Sequence, residues 1–412
     1  MLDEFVVYLQ NTPYTMFGII IGLTSTASYF ICNRCIINNN YLFLAAGLKG
    51  KDYGRPNSPP ISEAIGVICC GVYLSCIAIN LGIPYLINYN NPKFVIENYF
   101  SLEALLAGSW SISSMCLLGF TDDVLNLKWR NKLILPFISS FPLLLIYIIQ
   151  NGSTFTLVPY PFKIIFGSSI DLGLLFYCYI LLFTVFSTNS INILAGINGL
   201  EVGQSIIIAI SMLVFAFIEI YLENIQVFTV IYFIAPFLAV SLSLLKFNWY
   251  PASVFVGDTY CYFAGMTFAV CGILGHCSKI FILLFIPQIL NFIYSFPQLF
   301  KLLPCPRHRL PYYNAETGLR EPSTFVVRVN TLHIGGCVIL GLMARFGFAK
   351  ITRKGLDTAH SAEVDNMTLI NFYLRLYGPT QEEMLTRKLL EFHVLCAAAA
   401  IFSRYTIALI LF

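Results

Sequence analysis

The chain has 412 residues, of which 58% are hydrophobic and only 11% charged, with a net charge of +3 and a mean hydropathy of +0.76. Soluble domains carry about 25% charged residues, so this composition excludes a soluble enzyme, and the net charge is too small to suggest a nucleic-acid surface. It defines an all-α polytopic membrane protein. The thirteen cysteines are odd in number, and Cys69, Cys70, Cys116, Cys178 and Cys271 lie within apolar runs. They read as small hydrophobes, without a disulfide framework or a zinc spacing. Asp3 and Glu4 precede the first apolar run and do not resemble the basic start of a cleaved signal peptide.

Crossing a bilayer core takes about 20 apolar helical residues. Ten runs qualify in chain order: 14–33, 64–88, 98–119, 132–150, 170–188, 203–221, 227–245, 259–276, 280–302 and 389–412. The predicted organisation is a transmembrane domain over 1–302, a charged insert over 303–388 and a last helix over 389–412. Thr324 to Asn330 reads as a strand, so the insert is expected to be a small mixed α/β unit. Ten spans place loops 34–62, 120–131, 189–202, 246–258 and 303–388 on one side, which together with the residues bordering them, Lys132 and Lys301, holds 20 of the 24 Lys and Arg. The positive-inside rule makes that side cytosolic and both termini non-cytosolic. Asn151, in Asn-Gly-Ser, is then a luminal glycosylation candidate, whereas Asn366, in Asn-Met-Thr, is cytosolic and unmodified.

Four polar clusters fall on the cytosolic side. Asp122 and Asp123 are adjacent, followed by Asn126, Lys128, Arg130 and Lys132. Paired carboxylates hold a divalent cation or position a phosphate through one, and Lys132 suits phosphate. Interfacial cations alone would follow from the positive-inside rule; the acid pair would not. In Thr188 to Glu201, Asn189 and Asn192 share a face if helical, and Gly196, Gly199 and Gly203 permit close backbone approach to a ligand. The ordinary reading of this stretch is an interrupted helix. Asp258 opens an apolar helix after Asn248, Pro251 and Phe255; it is either a helix cap or part of an anion site at a helix N-terminus. Arg307, His308 and Arg309 sit between prolines. Arg forks suit phosphate oxygens, although a headgroup anchor has the same composition. Pro287, Gln288, Asn291 and Pro297 in the ninth run suggest a bent helix facing a groove.

Acids for a metal, cations for phosphate and a Gly–Asn loop on one membrane face suit a sugar nucleotide meeting a lipid phosphate. The stretches Gly119 to Lys132, Thr188 to Glu201, Asn248 to Pro251 with Phe255 to Thr259, and Cys305 to Arg309 resemble the polyprenyl-phosphate N-acetylhexosamine-1-phosphate transferases. Phe263 to Val270 and Gly272 to His276 add to the likeness, which runs from about residue 45 to the C-terminus. It is nearest to the eukaryotic branch that uses UDP-GlcNAc and dolichyl phosphate. The resemblance implies transfer of GlcNAc-1-phosphate with release of UMP, a Mg²⁺ (or Mn²⁺) cofactor, a homodimer, and an endoplasmic reticulum membrane location with the site facing the cytosol. By carry-over, Asn192 and Asp258 hold the metal, Arg307 the diphosphate, and Arg309, beside His308, the N-acetyl side of the sugar. Phe255, Gly196 and Asn198 frame the uracil, and Glu63 reaches the nucleoside. Asp122, Asp123, Asn126 and Lys132 orient the lipid phosphate and the transferred group, with no general base assigned. Lys51 stands where Gln is expected. Ala195 and Asn198 replace the acids of bacterial relatives, and the Arg-His-Arg loop argues against a muramoyl-pentapeptide substrate. A transporter of sugar nucleotides or lipid-linked sugars and an inactive scaffold are the competing readings.

Overall fold

The computed structural model describes residues 13–55, 58–87, 101–125, 127, 129–150, 154–158, 160, 162–306, 309–328, 332–353 and 361–407. Asn126, Asn151, Arg307 and His308 lie outside the described residues. The first half supplies helices α1 (Pro13–Ala45), α2 (Gly66–Ile87), α3 (Leu102–Leu125), α4 (Trp129–Gln150), the short α5 (Lys163–Phe166) and α6 (Leu174–Ile193). Then follow α7 (Leu200–Tyr221), α8 (Phe228–Asn248), α9 (Gly257–Leu274), α10 (Ser278–Leu284) and α11 (Ile286–Leu299). The insert carries α12 (Ile334–Arg345) and α13 (Leu369–Tyr377), and α14 (Glu382–Tyr405) closes the chain. Among the described residues, six helices are long and apolar enough to cross a membrane, or seven if α10 and α11 count as one bent span. The ten predicted runs overlap helices among the described residues, but those on α4, α9 and α14 are not among the six or seven, so the expected count of ten is not established. The 64° bend between α10 and α11 comes just before Pro287, whose ring cannot continue the hydrogen-bond ladder of a straight helix. The last helix begins at Glu382 rather than at 389.

Helix α9 is the axis of the bundle. Every residue from Thr259 to Ile273 is buried, as expected for a helix that is apolar all round. Glycines allow its neighbours to approach closely. A Cβ on Gly119 of α3 would lie 2.7 Å from the Thr259 Cα, and one on Gly265 would collide with the Ser187 carbonyl and Thr188 of α6. Such small-residue crossings let backbones pack where lipid offers no hydrophobic drive. Helices α3, α6 and α9 are thereby fixed against one another.

Strands β1 (Lys49–Gly50) and β2 (Ile61–Ser62) pair antiparallel in the first polar loop, and β3 (Phe155–Leu157) and β4 (Ser169–Asp171) form a hairpin before α6. The insert is mixed α/β, as predicted. Strands β5 (Tyr312–Tyr313) and β6 (Arg320–Glu321) pair, and β7 (Thr324–Arg328), β9 (Ser361–Asp365) and β8 (Ile351–Arg353) form an antiparallel sheet in that order. Strand β7 alternates, burying Phe325 and Val327 against Leu303, Leu340, Val364 and Met367. A second apolar cluster joins Leu194, Ile197 and Leu200 to Ile370 and Leu374 of α13 and Leu385 and Leu389 of α14. The insert is thus packed onto the Gly–Asn loop that the sequence singled out. Asn366 is 2% exposed and donates to Ser323 Oγ at 3.0 Å, a setting that leaves no room for a sugar.

Candidate active site

The site begins with the N-terminus of α9, whose first N–H groups have no partner within the helix. The partner is Asp123, brought in by the last turn of α3. Its Oδ1 accepts from the Asp258 N–H at 2.7 Å and its Oδ2 from the Thr259 N–H at 3.0 Å and from the Thr259 hydroxyl. Gly257, at φ +74°, packs so closely on this carboxylate that any Cβ would collide with it. Asp123, expected to orient the lipid phosphate, therefore caps a helix, with both oxygens engaged. Asp258, which could equally have been that cap, is released by it and points elsewhere.

Asp258 is held in a chain of charges. Lys132 Nζ lies 2.7 Å from Asp258 Oδ2 and 2.8 Å from Asp122 Oδ2, so one ammonium bridges two carboxylates. Asp122 also accepts from Tyr262 OH at 2.9 Å and from the Leu127 N–H at 3.0 Å. Asn192, in the last turn of α6, donates Nδ2 to Asp258 Oδ1 at 2.8 Å. Its carbonyl oxygen has no hydrogen-bond partner among the described residues. Asn189 turns away and donates to the Val185 carbonyl of its own helix. Asp122, Lys132, Asn192 and Asp258 are thus brought together from four helix ends.

Asn192 and Asp258 form part of the wall of a cavity of about 350 Å³. Lys51, Glu63, Gly196, Asn198 and Phe255, all singled out from the sequence, line it too. The loop after β2 is stitched to the loop before α9: the Phe255 N–H donates to the Ser62 carbonyl at 2.7 Å, and the Ile65 and Gly66 N–H groups donate to Phe255 and Val256. That pairing seats Glu63 and Phe255 side by side; a Cβ on Gly50 would meet the Phe255 ring and then Glu63. Burial first, and then the negative charge of Asp258, raise the Glu63 carboxyl above its ordinary value.

Sequence reasoning missed one side of the cavity. Glu201 accepts from the Gly196 N–H at 2.8 Å, Glu382 from the Asn198 N–H at 2.9 Å, and Asn248 from the Gly199 N–H at 3.2 Å. The Gly–Asn loop is therefore gripped through its own N–H groups, which are not free to cradle a phosphate. Arg320 of β6 donates Nε to Glu382 Oε2 at 3.0 Å and Nη1 to the Pro311 carbonyl at 3.3 Å. Asn198 Nδ2 reaches Asp52 Oδ2 at 3.2 Å. No local signal marked Arg320, Glu382 or Asp52; the packing of the insert brings in the first two, and the first polar loop brings in Asp52. Arg309 is half-buried, its buried Nη1 has no hydrogen-bond partner among the described residues, and burial lowers its pKa. An unpaired buried guanidinium donor fits an anion.

This geometry gathers carboxylates, an ammonium and amides at the ends of apolar helices, beside a cavity. The pattern of glycosyl transferase family 4 matches residues 105–276. The chain is 39% identical to the UDP-N-acetylglucosamine–dolichyl-phosphate N-acetylglucosaminephosphotransferase of Saccharomyces cerevisiae, over 94% of this chain and 91% of that protein. Proteins of the same name from Dictyostelium discoideum (37% identical, over 97% of this chain and 92% of the relative) and Schizosaccharomyces pombe (38%, over 89% and 87%) are similar to it across nearly their whole length. The chain belongs to this family of phosphotransferases.

Proposed function

We propose that the chain transfers GlcNAc-1-phosphate from UDP-GlcNAc to dolichyl phosphate, giving GlcNAc-diphosphodolichol and UMP, the first step toward the lipid-linked oligosaccharide of N-glycosylation. The observation that carries this reading is the Asp122–Lys132–Asp258–Asn192 array at four helix ends, whose last two members wall the cavity. An oxygen of the lipid phosphate attacks the β-phosphorus, the bond from that phosphorus to the bridging oxygen breaks, and the electron pair leaves with UMP. A phosphate monoester has its second pKa near about 6, so the nucleophile is already ionised and no residue need act as general base. Lys132 offsets the charge of the two phosphates as they approach.

The donors fit a small hard divalent cation. Asp258 and Asn192 offer oxygen, Asn192 keeps its carbonyl oxygen uncommitted, and a cation (the Lys132 ammonium) already sits between two carboxylates. Among the described residues no three His, Cys, Asp or Glu side chains form a metal cluster, so the substrate diphosphate would complete the shell. Bound there, Mg²⁺ (or Mn²⁺) would supply charge neutralisation at the diphosphate. Phe255, Gly196 and Asn198 frame the uracil, Glu63 takes the nucleoside, and Lys51 lies at the same end. Arg307 and Arg309, with His308, hold the diphosphate and the N-acetyl side. The protein is a multi-pass homodimer of the endoplasmic reticulum membrane, with this cavity open to the cytosol. The excess of Lys and Arg on the loops that build the cavity supports the sidedness.

Purified protein with UDP-GlcNAc and dolichyl phosphate is expected to release UMP only when both substrates are present, and chelation of divalent metal is expected to stop it. Transport of UDP-GlcNAc into sealed vesicles without UMP release would favour the transporter reading instead.

A further inference from the structure

Helix α12 is an anomaly within the insert. Its sequence, Ile334 to Ala344, carries no charged residue before Arg345 at its end. Only one face is used by the insert, where Leu340 is buried beside Leu303, Phe325 and Val364. The opposite face is uncovered: Ile334 is 79% exposed, Val338 55% and Leu342 49%. These three recur at four-residue spacing and form one stripe, which Phe346, 69% exposed, extends. A helix that is apolar all round is normally buried on all sides. This one, with 12 residues, is also too short to span a bilayer core.

Its position supplies the missing solvent. Gly336 packs directly on the Leu302 carbonyl, so closely that a Cβ would collide with it. Leu302 lies just beyond the end of α11, the second half of the bent span. Tyr294 of α11 donates its hydroxyl to the Phe348 carbonyl at 2.6 Å, which ties the chain after α12 to that span. On α11 itself Ile293 and Phe296 are exposed, and Phe300 follows at its end. The uncovered stripe of α12 is therefore carried by a helix tied to the end of an apolar bent span whose own side chains Ile293, Phe296 and Phe300 are exposed. Arg345 and Lys350, both exposed, stand at the polar end of the stripe, suited to lipid headgroups.

We propose that α12 is a monotopic helix, seated in the interfacial region of the leaflet into which the insert emerges, with Ile334, Val338, Leu342 and Phe346 among the acyl chains. The bilayer then acts as part of the framework of the site. The insert that supplies Arg320 to the cavity is held at a fixed height above the membrane through α12 as well as through its covalent ends. The assignment of this leaflet as cytosolic rests on the proposed orientation; the insertion itself does not.

The full chain in nanodiscs, with Val338→Trp or separately Leu342→Trp, tests this by tryptophan fluorescence, subtracting the parent protein's signal. The expected result is strong quenching by phospholipid carrying a nitroxide near the glycerol end of its chain, weaker quenching by one labelled near the chain terminus, and little by aqueous acrylamide. Acrylamide quenching without lipid quenching would place the stripe in water and overturn the proposal. Protection from both, with a second copy in the same disc, would mean that another protomer covers the face, and would overturn it equally. Two positions guard against one poorly folded variant. Because the readout is lipid contact, failure here is distinct from failure of the transferase reading, which shows only in product.

Discussion

Asp123 and Asp258 stand at the same helix end and serve different ends there. Asp123 satisfies the α9 N-terminus with both oxygens, whereas Asp258 faces the cavity. Asp123→Ala is expected to lower stability by about 1–2 kcal/mol, the range for losing a helix cap, read as a lower thermal midpoint in detergent. Asp258→Asn is expected to keep a midpoint close to the parent's and to lose turnover; a large stability loss there with retained activity would reverse the two assignments. Glu63 gives a pH test. Its folded carboxyl is raised above the ordinary 4.5, so from that pH up to the raised value the folded chain binds more proton than the unfolded chain. Stability therefore falls as pH rises through this window. Glu63→Gln is expected to raise the midpoint at neutral pH and to flatten the fall, as thermal melts across a pH series would record; a slope unchanged from the parent's would contradict that environment. At this scale the sequence identified residue types but not their partners. Asp123 and Thr259 are 136 positions apart, and nothing local distinguishes a capping acid from one that faces substrate.

The elements explain why the insert matters. The Arg320–Glu382 pair is almost fully buried, with both side chains 4% exposed, and Glu382 holds the Asn198 N–H. Gly54 packs on the pair so tightly that a Cβ would collide with both side chains. One ion pair thus joins the first polar loop, the Gly–Asn loop and the start of α14. Removing one member of a buried pair typically costs about 3–5 kcal/mol because the other charge is stranded. Glu382→Ala is expected to show a loss of that order in stability. The double change Arg320→Met with Glu382→Leu is expected to recover most of it while still raising the KM for UDP-GlcNAc, since the Asn198 N–H loses its acceptor. An unchanged KM in the double variant would mean that the loop does not need this grip. The apolar helices were legible because hydropathy reports each one locally, although only six or seven of the ten expected spans qualify among the described residues. The start of α14 was not, because Glu382, Glu383, Arg387 and Lys388 are polar residues in a helix that begins outside the apolar zone. Nor was the pairing of β7 with β9, which depends on partners brought together by the intervening chain.

At the scale of the whole molecule, the positive-inside pattern grouped the polar loops before any contact was known. The structure places Glu63, Asn192, Asn198, Asp258 and Arg320 from those loops around one cavity. That grouping was readable because Lys and Arg placement is a global constraint on a membrane protein. The shape of the cavity was not readable, since it depends on how α3, α6 and α9 cross at Gly119 and Gly265. Sidedness has its own test: in microsomes, endoglycosidase is expected to shift the parent chain but not the Asn151→Gln variant, and Asn366→Gln is expected to change nothing. Sugar on Asn366 would invert the topology. The chemistry is tested most directly by supplying UDP-GlcNAc radiolabelled at the β-phosphorus, with dolichyl phosphate and Mg²⁺. The label should appear in the lipid product while the released nucleotide is unlabelled UMP. Label retained in released UDP would mean transfer of the bare sugar and would contradict attack at the β-phosphorus.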